Sequence, residues 1–192
     1  DVDLGAVVFD VTGLPDTAKI REVQRIREPD LPGGFHEIFA YKHSSGAPLV
    51  FTTTQSPNAH VYDIDRLVSG DARQGLVAKI PVPPSAVGGV RGWHDFYVGY
   101  DVTSHQDRLY GAGAGGYYVF DVTDLQNPRL LASATGVAGM NRGHTFTPDP
   151  TGRYAVIESE YKYAPLRIID LQPALRGEVQ NISRPVGAWT ST

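Results

Sequence analysis

Apolar and polar positions along this chain follow one another in short runs, split every few residues by clusters of Gly, Pro, Asn, Asp and Ser. Runs of four to eight aromatic and β-branched residues bounded by such clusters predict strands joined by tight turns. The runs recur in a fixed order. A first run ("HEIFAY", "HDFYVGY", "HTFTP") is followed by a turn cluster ("KHSSGAP", "DVTSHQD", "PDPTG"). A second run comes next ("LVFTTT", "RLYGAGA", "RYAVIES"), then another turn and a third run ending in Asp ("AHVYDI", "GYYVFDV", "PLRIIDL"). A fourth run stands after the third as "LVAKIPV" and "RLLASAT", and "AKIREVQRI" takes the same place after "AVVFDVT" near the N-terminus. That last segment has helical composition, but its position in the repeat predicts a strand. Helix is expected only as single turns, in "DIDRLVSG" and "DLQPALRG".

The repeat has chemical landmarks. Each full unit opens at a histidine and closes at an aspartate: the interval from His36 to Asp63 equals that from His94 to Asp121, and His144 to Asp170 is one residue shorter. Asp10 closes a fourth copy that has no histidine of its own. Four strands per period of roughly 50 residues is the bookkeeping of a β-propeller blade. The fold expected is therefore all-β, a β-propeller segment of about three and a half four-stranded blades. Its blades run over 1–28 (the outer half only), 29–84, 85–136 and 137–192, the last without a closing strand because "VGAWTST" offers no clear one. Three and a half blades do not close a ring, so the expectation is the remaining blades of a six- to eight-bladed parent chain, or else two such chains closing a ring together.

Composition narrows the partners. The 192 residues are 41% apolar and 20% charged, within the range of globular proteins. A net charge of −4 without any long Lys/Arg run gives no electrostatic footprint for nucleic acid. No 18-residue apolar run exists, so no membrane insertion is expected. With no cysteine, disulfides and thiol chemistry are excluded.

The recurring "YYVFDVTDLQNPRLLAS", with "VVFDVTGLPDTAKIREV" and "LRIIDL", resembles the LVIVD repeat. The chain is also similar to a wider group of propellers that includes the selenium-binding-protein family and the nitrous-oxide-reductase propeller. The resemblance implies an extracellular or periplasmic protein. It also implies that histidines from the innermost strands meet at copper in a central channel, and His36, His94 and His144 stand at the matching place in three consecutive blades. Unlike the copper enzymes of that group, this chain has no cysteine and no paired-histidine motif.

Two function classes follow. One is a binding or scaffold propeller that presents a face to a protein or polymer ligand. The other is a metal-dependent oxidoreductase in which His36, His94 and His144 hold copper or another transition-metal ion, imidazole being a common ligand for such metals. The same histidines could instead bond a backbone carbonyl of the neighbouring blade or act as acid–base groups. Arg142, Tyr97 and Tyr100, near the first strands, are candidates for anion or substrate contacts. The repeat aspartates are expected to accept local backbone amides. The run "GAGAGG" is expected to form a hairpin, because a strand and not a helix follows it, which excludes a dinucleotide loop.

Overall fold

The computed structural model describes residues 5–28, 34–54, 56–84, 92–140 and 142–190. The segment boundaries expected at 29 and 85 lie outside the described residues. The fold is all-β and built from consecutive antiparallel sheets. Strands β1 (Gly5–Asp10) and β2 (Arg21–Arg27) form a two-stranded sheet, so the helix-like "AKIREVQRI" contributes a strand from Arg21 on, while its first two residues belong to a 3-10 turn over Thr17–Lys19. The second sheet runs in the order β3 (Ile38–Lys42), β4 (Pro48–Thr52), β5 (Asn58–Asp63), β6 (Leu76–Pro81). The third comprises β7 (Trp93–Asp101), β8 (Gln106–Gly113), β9 (Gly116–Asp121) and β10 (Arg129–Thr135). The fourth comprises β11 (Thr145–Pro148), β12 (Tyr154–Glu158), β13 (Leu166–Asp170) and β14 (Gly187–Trp189). The expectation that the last unit lacks a closing strand is thus corrected: Gly187, Ala188 and Trp189 pair with Ile168, Arg167 and Leu166. Two single-turn helices, α1 (Ile64–Val68) and α2 (Gln172–Leu175), follow the third strands of their sheets.

These are blade-like sheets, each a meander whose strands keep sequence order. The third sheet shows why the sequence folds so. Its β9 is buried on both faces, and its alternating side chains enter two different cores. Tyr117 and Val119 join Phe146, Ala155, Ile157 and Ile169 on one side. Tyr118 and Phe120 join Phe51, Val61, Trp93 and Leu109 on the other. A strand covered on both faces reads as a continuous apolar run, as "YYVF" does.

The glycine run has two jobs. Gly113 and Gly116 pair across a two-residue turn, with Gly115 at φ +82°, so "GAGAGG" is the expected hairpin. Gly111 serves packing: a Cβ there would stand 2.4 Å from the Trp93 ring. Trp93 in turn donates its indole N–H to the Ile80 carbonyl of the preceding sheet at 2.9 Å.

Each repeat aspartate accepts a backbone N–H just beyond its strand. The donors are Thr12 to Asp10, Arg66 to Asp63, Thr123 to Asp121 and Gln172 to Asp170, at 3.0–3.1 Å. Thr12 and Arg21 hold the Asp10 carboxyl down at about 2.

A different aspartate ties sheets together. Asp107, fully buried on β8, accepts the hydroxyl of Tyr41 in β3 and the hydroxyl and N–H of Ser44 in the turn after it. The buried ring of His43 lies 3.2 Å from the same carboxylate and donates to the Val122 carbonyl. Burial and the bond to Asp107 push the Tyr41 phenol well above its ordinary value, so it stays a donor.

Candidate histidine centre

The first strands of the three full sheets lie side by side, with β7 packed against both β3 and β11. Their N-terminal ends carry the repeat histidines. His36 precedes β3 and donates its backbone N–H to Thr53 at 2.8 Å, extending the β3–β4 ladder. His144 precedes β11 and bonds the Glu158 carbonyl in the same manner at 3.0 Å.

His94 is placed by a bulge. The β7–β8 register jumps from Trp93↔Gly113 to Asp95↔Ala112, which leaves His94 as the extra residue. Bulges re-aim a side chain that strict alternation would send elsewhere. Here the bulge lets Trp93 enter the core while His94 reaches both neighbours.

The three imidazoles meet. His36 Nε2 and His94 Nε2 are 2.9 Å apart, and the His94 and His144 ring centroids are 4.3 Å apart. His94 Nδ1 donates to the His144 carbonyl at 3.2 Å, the neighbour-carbonyl bond considered for these histidines from sequence. His144 Nδ1 lies 2.6 Å from the Glu158 carboxylate, and its Nε2 lies 3.6 Å from Glu160. In both rings Nδ1 is engaged, while Nε2 faces His36 in the case of His94 and Glu160 in the case of His144.

No protein-family model and no curated protein matches this chain. The chemistry of the site therefore stands on its own geometry. Burial, and then the neighbouring His144 and His36, hold His94 below the usual histidine value and favour its neutral form. Neutral imidazole is the form that ligates metals.

Among the described residues, the group whose ligand atoms lie close enough together to hold a metal ion leaves out His36. His94, His144 and Glu160 offer ligand atoms within 4.8 Å of one another. Four ligands at ordinary Zn–N distances stand about 3.4 Å apart around a tetrahedral ion. Closing that difference requires shifts of about 1 Å, and Glu160, with its side chain 75% exposed, is free to swing.

The other sequence candidates lie elsewhere. Tyr97 and Tyr100 sit further along β7, and Tyr100 is about 20 Å of strand from His94; both line a separate cavity. Arg142 is exposed, and its carbonyl accepts the Ser159 hydroxyl at 2.6 Å. His43, His60 and His105 are outside the cluster: His43 belongs to the Asp107 network, His60 bonds Glu28 at 2.9 Å, and His105 pairs with Tyr100 in a turn.

Glu158 and Glu160 are the site residues that sequence reasoning missed as partners of His144. The β11–β12 hairpin held the signal: counted back from "PDPTG", its register sets Thr145 opposite Glu158.

Proposed function

We propose that this chain is part of an LVIVD-type β-propeller whose successive blades hold a transition-metal ion, with His36, His94 and His144 as ligands and Glu160 as a fourth, exchangeable one. The observation that carries this reading is the convergence of the three repeat histidines. Two of them have their outer ring nitrogens already bonded, His94 to a carbonyl and His144 to a carboxylate. Such outer partners fix tautomer and ring orientation at metal centres. The ends of three neighbouring strands supply the nitrogens, so the site needs no local binding motif. An exposed fourth ligand leaves a position for substrate, as catalytic metal sites do. We assign the site to oxidoreductase chemistry of a copper-type ion, for which imidazole nitrogens are suited ligands. A scaffold that binds its partner on one face would have no need of this convergence.

The test is metal analysis of the protein after loading with Cu(II) or Zn(II) and desalting. About one ion per chain is expected, lost in His94→Ala and retained in His105→Asn, which alters a histidine remote from the cluster. Equal retention in both variants, or no bound ion in the parent, would refute the assignment.

A further inference from the structure

The far end of β7 carries a second feature, independent of the histidines. A cavity of about 380 Å³ opens between the third and fourth sheets, large enough for one small-molecule unit. Its rim holds Tyr97 and Tyr100, which keep 38% and 44% of their surface exposed. Behind Tyr97 stand Phe39 at 5.5 Å and Tyr110 at 6.0 Å between ring centroids, so the exposed ring is held in place by packing.

The floor is polar and built from buried groups. A Cβ at Gly152 would stand 3.4 Å from Tyr110 Oη, 3.6 Å from Asp101 Oδ2 and 3.9 Å from Arg108 Nη1. Tyr110 and Arg108 are themselves only 4% and 8% exposed. Gly152 lies at φ +66°, in the left-handed region, and lines the cavity together with Tyr110 and Asp101, with Arg108 behind them.

The charges decide what fits. Arg108 binds the Asp101 carboxylate at 2.9 Å, and the other oxygen of Asp101 accepts the Thr103 and Ser104 amides and the Ser104 hydroxyl. The floor therefore presents the Tyr110 hydroxyl beside the Asp101 carboxylate, whose charge Arg108 compensates from behind. At the rim Asp149 is already engaged by the Thr151 hydroxyl and the Tyr154 amide, and its negative charge disfavours anions. A compensated Arg–Asp pair offers little to a bare cation. It suits hydroxyl groups, each of which donates and accepts. Exposed tyrosine faces suit the C–H face of a ring that carries such hydroxyls.

We propose that this cavity binds an uncharged sugar unit of a polysaccharide, stacked on Tyr97 and Tyr100 with its hydroxyls on Asp101 and Tyr110. It is a site separate from the histidine centre, and it gives the polymer partner expected of a propeller face a chemical class.

Saturation-transfer NMR and calorimetry would test it, with cellotetraose and chitotetraose as neutral probes and tetragalacturonate and tetramethylammonium as charged ones. Binding of a neutral probe is expected, weakened at least 10-fold by Tyr100→Ala and by Thr151→Arg at the cavity rim, and unchanged in His94→Ala. Two variants on separate elements guard against a local folding defect, and circular dichroism checks both. The proposal is overturned if neither neutral probe binds, if binding survives both rim variants, or if a charged probe binds more tightly.

Discussion

A carboxylate that grips one nitrogen of an imidazole decides which nitrogen is left for a metal. Glu158 does this for His144 at 2.6 Å, and its contribution is orientation and basicity, made through another residue. Replacing it with Gln keeps the shape and removes the charge. Glu158→Gln is expected to weaken Cu(II) or Zn(II) affinity about 10- to 100-fold, the usual effect of losing such an outer partner. Competition titration against a chelator would read this, and for Cu(II) a changed EPR spectrum should accompany it. An unaltered affinity and spectrum would mean that Glu158 does not orient the ligand.

At the scale of the element, β7 and the hairpin behind it depend on missing side chains. Gly111 gives its space to the Trp93 ring, and Trp93 anchors the strand whose bulge presents His94. Overpacking a dense core costs typically about 1–3 kcal/mol. Gly111→Ala is expected to destabilise the protein by that amount in urea unfolding, and through Trp93 to lower metal occupancy as well. A fully stable variant would show that the ring can move aside.

Much of this level was legible in the sequence. The strands "YYVF" and "LVFTT" announced themselves by apolar runs, the turns by Gly, Asn and Asp, and the four strand-end aspartates by their repetition. Strand β14 was not legible. Three residues, Gly187 to Trp189, carry no periodicity, and only pairing with β13 makes them a strand. Nor was the bulge, since an extra residue in one strand is defined by the register of its partner. The repeat brought the three histidines into correspondence without saying that their rings touch, because that depends on how the sheets pack. The same holds for the Tyr97 cavity, which brings the β7–β8 hairpin against the turn around Gly152, distant in sequence.

For the whole molecule, the Asp107 network sets how the sheets depend on one another. The buried carboxylate belongs to the third sheet, and its hydroxyl and amide donors belong to β3 and the turn after it in the second. In stacked repeats, stability divides into a term for each unit and a term for each interface. Removing the acceptor leaves buried donors unpaired, so Asp107→Ala is expected to cost about 1–3 kcal/mol for each donor left without a partner. The loss should be visible in thermal unfolding, and a change within about 0.5 kcal/mol, as at ordinary surface positions, would deny the network that role. One consequence concerns how the protein opens. Amides of β4 and β8, though in different sheets, should exchange with solvent deuterium at a common rate in the parent protein. In Asp107→Ala they should separate into two rates, because the two sheets are then free to breathe independently.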